Sequence, residues 1–189
     1  MIIMRLIVGI SGASGVVMGY ALLKALREAE VETHLVVTEA AERTLACETS
    51  LKAKDLKELA DAFYDPRDMA ARIASGSFVT DGMIVVPCSM KTLAGIVSGY
   101  ADNLLLRAAD VCLKEGRKLV LVPRETPLSL VHLRNLKAAA EAGCAIVPPM
   151  LTFYGGADTI EKQIDHIIGK IFLRFGLSYK NGTSWDGVP

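Results

Sequence analysis

The chain is 189 residues long, the size of one ordinary domain, and its 21 basic residues balance 21 acidic ones. A surface with no net charge exerts no broad pull on nucleic acid or anionic membrane, so neither is an expected partner. Hydrophobic residues make up 51% but aromatics only 6%, and the mean hydropathy is +0.35. The aliphatic excess implies apolar surface buried between subunits.

Read in chain order, strands and helices alternate without linker, repeat or low-complexity tract. The opening "MIIMRLIVGISGASG" has an apolar core too short for a secretion signal, and it runs into glycines rather than a cleavage site. It predicts a buried strand over 5–10, followed by a helix over 16–29. A second strand is expected over 32–37, then helices over 39–47 and 55–63. A third strand at 82–87 precedes helical stretches at 93–97 and 103–115. "KLVLVP" (118–123) predicts the fourth strand, with a helix over 129–142, and "CAIVPP" (144–149) the fifth. An amphipathic helix over about 158–175 and a short tail from about 176 complete a single domain spanning 1–189. Nearly continuous β-branched runs mark strands buried on both faces of a parallel sheet. The expected fold is therefore α/β, a doubly wound parallel sheet in a three-layer sandwich of Rossmann or flavodoxin type.

The longest charge-free segment, 142–157, is too short to span a bilayer and contains Pro148 and Pro149. A soluble, cytoplasmic protein is expected. Cys47, Cys88, Cys112 and Cys144 form no C-x-x-C pair, and His34, His132 and His166 have no ligand spacing. Neither disulfide nor metal is expected.

Ligands of doubly wound sheets sit beyond the carboxyl ends of the strands. After the first strand, "GISGASG" (9–15) is a glycine-rich turn feeding a helix N-terminus. It suits a phosphate or a tight packing turn, but its spacing is neither the dinucleotide fingerprint nor a phosphate-binding P-loop. After the second strand, Thr38 can donate to a phosphate or merely cap a helix, and Glu39 can grip a ribose. After the third, "PCSMKTLAG" (87–95) sets Ser89, Lys91 and Thr92 at a helix start. Cys88 reads as a small buried residue rather than a nucleophile. After the fourth, "PRETP" (123–127) holds Arg124 and Glu125 between two prolines that stiffen the backbone. Arg124 can hold an anion and Glu125 can carry a proton. The fifth strand brings Tyr154 to the same rim. "YALLK" (20–24) matches the Tyr–Lys spacing of short-chain dehydrogenases but falls in the first helix, where that family does not carry it.

Together "GISGASG", "PCSMKTLAG", "AADVCLKE" (108–115), "VLVPRETPLS" (120–129) and "VPPMLTFY" (147–154) closely resemble the flavin prenyltransferase (UbiX) family, over about residues 5–175. The resemblance implies a flavodoxin-like, metal-independent enzyme. It would join a dimethylallyl group from dimethylallyl phosphate to N5 and C6 of reduced FMN, making prenylated FMN for UbiD-type decarboxylases. It also implies a homododecamer with active sites at subunit contacts. By matching position, Gly12, Ala13, Ser14, Thr38, Ser89, Met90, Lys91, Thr92 and Arg124 would contact FMN. Lys114, Tyr154 and Lys170 would hold the prenyl phosphate, and Ser14, Glu48 and Glu125 would surround the reacting atoms. Thr38 stands where the family has serine. Lys170 stands where arginine is expected, which keeps the charge but loses a two-point grip. The other readings are an FMN-dependent cysteine decarboxylase, a non-catalytic FMN carrier and a reductase using Glu39 for NAD. The cysteine decarboxylase's methionine-rich segment is missing.

Overall fold

The structure is a computed structural model that describes residues 4–153 and 156–182. In chain order it contains β1 (Arg5–Ile10), α1 (Val16–Glu28), β2 (Glu32–Val37), α2 (Glu39–Glu48), α3 (Ala53–Lys57), β3 (Ala62–Tyr64), β4 (Gly82–Cys88), α4 (Met90–Ser98), α5 (Leu104–Lys114), β5 (Lys118–Pro123), α6 (Leu130–Glu141), β6 (Ala145–Ile146) and α7 (Ile160–Phe175), with one 3-10 turn at Arg72–Ala74. All strand pairings are parallel, in the order β3-β2-β1-β4-β5-β6.

Successive side chains of a strand point to opposite faces, and the core divides accordingly. Leu6, Val8 and Ile10 of β1 face one way, with Leu35 and Val37 of β2 and Val120 and Val122 of β5. They pack against Leu22, Leu23 and Leu26 of α1 and Ile168, Ile171 and Phe172 of α7. Ile7, Val36, Met83, Val85, Leu119 and Leu121 face the other way, onto Leu93 and Ile96 of α4 and Leu104, Leu105 and Ala108 of α5. Both faces are covered, which is why these strands read as unbroken apolar runs and not as alternations.

Three expectations need correction. Residues 55–63 do not form one helix: α3 ends at Lys57 and the chain turns into the short edge strand β3. Asp61 stops the helix by accepting the Thr33 N–H at 2.7 Å, which draws the segment alongside β2. The last strand shrinks to Ala145–Ile146, because Pro148 and Pro149 lack the N–H groups a ladder requires. The helix expected at 93–97 begins three residues earlier, where Ser89 caps it. The added edge strand also settles the topology. Without β3 the remaining strands would have the flavodoxin order 2-1-3-4-5; with it the order is 3-2-1-4-5-6, that of the Rossmann fold. Beyond α7 the chain folds back: Tyr179 donates to Asp165 at 2.5 Å, and Lys180 pairs with Glu28 of α1 at 2.7 Å.

Among the described residues, no helix is long and apolar enough to cross a membrane.

Candidate active site

From β1 the chain winds outward through β2 to β3, and from β4 it winds the other way through β5 to β6. The loops leaving β1 and β4 therefore part, and a crevice opens between them at the carboxyl edge. One buried side chain ties the two loops together. The Ser11 hydroxyl donates to the Pro87 carbonyl at 2.9 Å and accepts the Ser89 N–H at 2.8 Å. Gly12 follows, and a Cβ there would lie 2.4 Å from Cβ of Ala40. Only glycine lets this turn seat against the start of α2.

The cleft at this point has a volume of about 430 Å3, within the range of small-molecule and cofactor sites. Its wall includes Gly12, Thr38, Ser89, Lys91 and Thr92, all expected from the sequence. Thr38 and Ser89 are also helix caps. Thr38 Oγ1 accepts the Ala41 N–H at 3.2 Å, and Ser89 Oγ accepts the Thr92 N–H at 3.2 Å while donating to Thr92 Oγ1 at 3.0 Å. The capping and binding roles are compatible, because capping orients the first turns of α2 and α4 toward the cleft, positive ends first. Met90 is different: its side chain is buried in the core below α4, so only its backbone faces the loop.

Arg43, Pro66, Arg67, Asn103 and Leu106 also line the cleft and were not expected. Arg67 follows the overlooked strand β3, and Asp65 fixes it through Nε at 3.1 Å and Nη2 at 2.9 Å. Those contacts hold the Asp65 carboxyl down to about 2. Arg43 lies one turn beyond Glu39 in α2 and near its carboxylate. A four-residue spacing within a predicted helix was the only available sign of it. Glu39 thus shares the cleft with cations.

Further along the β1 turn, outside the cleft lining, the exposed Ser14 and Glu48 meet. Glu48 Oε2 accepts the N–H groups of Gly15 at 2.9 Å and Val16 at 3.3 Å, and the Ser14 hydroxyl bonds the same carboxylate. Desolvation pushes this carboxyl up. The three hydrogen bonds and the charge of Arg124 outweigh it, so Glu48 is held below the usual carboxylate range. Arg124, at the end of β5, is therefore within electrostatic reach of Ser14 and Glu48. Its N–H donates to the Cys88 carbonyl at 3.1 Å, joining the β5 loop to the β4 loop. The side chains of Arg124 and Glu125 are exposed, and Glu125 Oε1 accepts the Thr126 N–H at 3.1 Å. Cys88 is fully buried and burial pushes its thiol up, which leaves it inert.

The expected phosphate ligands do not converge on this cleft within one chain. Lys114 ends α5, a helix whose opposite end, at Asn103, borders the cleft; it pairs with Glu115. Eleven helical residues put it about 16 Å away, toward the amino edge of the sheet. Lys170 lines a separate groove between α7 and β6. Tyr154 lies outside the described residues. Among those residues, no group of three His, Cys, Asp or Glu could hold a metal ion.

Residues 2–172 match the Flavoprotein family model. A probable UbiX-like flavin prenyltransferase of Sedimentibacter hydroxybenzoicus is 60% identical over 186 residues, covering 98% of each chain. Among solved structures, a dodecameric FMN-dependent UbiX-like decarboxylase from Escherichia coli O157:H7 is 55% identical with a TM-score of 0.95, covering 97% of this chain and all of its own. AnUbiX (PadA1), solved in complex with FMN and dimethylallyl pyrophosphate, is 48% identical with a TM-score of 0.97 over the full length of both. The chain belongs to the UbiX-like flavin prenyltransferase family.

Proposed function

We propose that this protein transfers a dimethylallyl group from its phosphate ester to N5 and C6 of reduced FMN, and that the prenylated flavin passes to a UbiD-type decarboxylase. The observation that carries the reading is the meeting of Ser14, Glu48 and Arg124 beside a cleft onto which two helix N-termini open. FMN fits that donor set. Its phosphate suits the hydroxyl of Thr38 and the N-termini of α2 and α4, with Lys91, Arg43 and Arg67 supplying positive charge. Gly12, Ala13, Ser14, Ser89, Met90, Thr92 and Arg124 complete the flavin contacts, Met90 through its backbone. Reduced flavin supplies electron density at the two atoms that form new bonds.

The chain's own groups do the rest. Glu48 stays ionised and fixes the Ser14 hydroxyl, which orients that donor at the reacting edge. Arg124 would hold the flavin, and Glu125, exposed beside it, would give a proton to the double bond of the attached allyl group and take back the one that leaves C6 as the ring closes. The departing phosphate needs cations, since stabilising the developing anion lowers the barrier. Lys114, Tyr154 and Lys170 fill that role from neighbouring subunits, which explains why Lys114 and Lys170 lie away from the cleft of their own chain. Assembly into a dodecamer would also cover two apolar patches. Leu130, Val131 and Leu133 of α6 form one, and Met150, Leu151, Phe153 and Ile160 lie on the loop before α7 and at its start; all are exposed.

Anaerobic incubation with reduced FMN and dimethylallyl phosphate, followed by mass spectrometry of the bound flavin, tests the reading. A flavin heavier by one prenyl group is expected. Unchanged FMN with both the monophosphate and the diphosphate donor would reject it in favour of a carrier.

A further inference from the structure

The connection from β3 to β4, residues 65–81, forms a strap laid along α5. It starts at the cleft, where the Pro66 carbonyl accepts the N–H of Leu104 at 2.7 Å. Arg107 of α5 holds its middle, donating from Nε to the Ala74 carbonyl at 3.1 Å. Arg117, just beyond α5, donates through Nη2 to the Gly76 carbonyl at 2.5 Å and through Nη1 to the Phe78 carbonyl at 2.9 Å. At the far end, Arg5 of β1 donates to the Val79 carbonyl at 3.0 Å. The strap is fixed along its length, and with it the backbone at Gly76.

At Gly76 the strap meets Lys114 and Glu115. Consecutive residues of a helix do not face each other, yet the Lys114 ammonium bonds the Glu115 carboxylate. Among the ion pairs of described residues, only this one joins consecutive positions. The pair forms because Glu115 is the C-cap of α5 and both side chains close over Gly76. A Cβ at Gly76 would collide with the Glu115 carboxylate and lie 2.9 Å from Nζ of Lys114. The Lys114 contact first, and the charge of Arg117 with it, hold the Glu115 carboxyl below the usual range, so it is ionised at neutral pH. Lys114 has three N–H donors, and the pairing leaves two of them for a ligand.

We infer that Glu115 and the Gly76 backbone are the positioning elements of Lys114, holding its ammonium in place for a site completed by a neighbouring subunit. The inference rests on the transferase reading and adds to it two residues that act only through Lys114. An unrestrained lysine gives up its rotamer freedom when it meets a ligand; here the strap and Glu115 have already removed part of it.

Calorimetry of dimethylallyl phosphate binding to protein loaded with oxidised FMN, which lacks the electrons for transfer, reads donor affinity without turnover. Glu115→Gln should weaken binding about three- to tenfold, with FMN affinity and oligomer size unchanged. Glu115→Asp keeps the charge with a shorter reach and should fall between. Gly76 lies outside the left-handed region, so alanine suits its backbone and acts there only through the methyl it inserts. Gly76→Ala should weaken binding by a similar factor although both charges remain. Glu141→Gln, which breaks an exposed pair with Lys137 on α6, should overlap wild type. In Lys114→Ala protein, neither Glu115→Gln nor Gly76→Ala should weaken the remaining binding further. A general loss of structure would instead add to the Lys114→Ala defect, and that result would overturn the inference. If wild type forms prenylated flavin but Glu115→Gln binds the donor as tightly as wild type or more tightly, the inference falls and the transferase reading stands. If the affinities change as expected but mass spectrometry finds no prenylated flavin after reduction, the positioning role stands and the transferase reading falls.

Discussion

Glu48 Oε2 accepts the N–H of Gly15 at 2.9 Å, so the last residue of α2 caps the first turn of α1. Gly15 has no side chain to do this and sits at φ +93°, in the left-handed region that favours glycine. The cap comes instead from a carboxylate more than thirty residues away in sequence. Its charge faces the positive end of the helix, and it also holds Ser14.

Glu48→Gln should therefore act in two ways. Losing a charged cap should lower stability by about 0.5–1 kcal/mol at neutral pH, and turnover should fall further because Ser14 is no longer fixed. The pH dependence follows from the lowered pKa. A carboxylate held low contributes in full above its ordinary value of 4.5 and loses that contribution as pH falls through its folded pKa. Denaturant titrations should show wild type more stable than Glu48→Gln at pH 7, with the gap closing in acid. A gap that does not change with pH would show that charge is not what matters.

Ser11→Ala should open the crevice. The hydroxyl serves the Pro87 carbonyl and the N–H of Ser89; the variant leaves that N–H without its partner, while the carbonyl keeps only the backbone N–H of residue 11 at 3.3 Å. About 1–3 kcal/mol of stability is at stake. Since Ser89 begins α4, FMN affinity should fall more than saturated turnover does, as flavin titration and steady-state rates would reveal. Equal losses in both would make Ser11 an ordinary structural residue.

Glu125→Gln should leave FMN binding near wild type, because among the described residues this side chain hydrogen-bonds within its own loop, to the Thr126 N–H. Turnover should drop by about 100-fold or more, the usual contribution of a positioned proton carrier. Wild-type rates would remove Glu125 from the chemistry.

Glu32 predicts the acid limit of the fold. Its Oε1 accepts from Arg5 Nε at 2.7 Å and lies 2.9 Å from Nε2 of the buried His34. The Arg5 contact first, and the His34 contact with it, overcome desolvation and hold the carboxyl down to about 2. Its stabilisation is present above 4.5 and is lost as pH falls toward about 2. Both partners are partly exposed, so Glu32→Gln should cost about 1–2 kcal/mol at pH 7. Urea midpoints of the two proteins should converge as pH falls to about 2.

The long strands were legible because two-sided burial leaves a run such as Leu6–Ile10 no polar position. β3 was not. Its three residues carry no period, and what makes them a strand is Asp61 anchoring to Thr33 on the neighbouring β2. With β3 hidden, Arg67 was hidden as well. Of the cleft lining, Gly12, Thr38 and Ser89 could be read from their place after apolar runs, since a strand end in a parallel sheet fixes which edge a residue occupies. Arg43 and Asn103 could not, because their positions depend on how α2 and α5 lean over the crevice. Glu48 needed the family resemblance: nothing near it in sequence indicates that it caps another helix.

The distance of Lys114 from the cleft yields the sharpest test of shared active sites. Lys114 lies about 16 Å down α5 from the residues bordering the cleft, whereas Glu125 follows the carboxyl end of β5. No small movement within one chain brings the two together. If a site takes Lys114 from one subunit and Glu125 from another, Lys114→Ala and Glu125→Gln should each be nearly inactive alone. Refolding or co-expressing the two variants in equal amounts should restore activity, because random mixing gives about a quarter of the sites both native residues. If both residues served the same site from one chain, no site in the mixture would be intact and activity would stay at the level of the single variants. Prenylated flavin formed per FMN-loaded subunit, measured by mass spectrometry on oligomers isolated by size exclusion, distinguishes a quarter of wild-type rate from none.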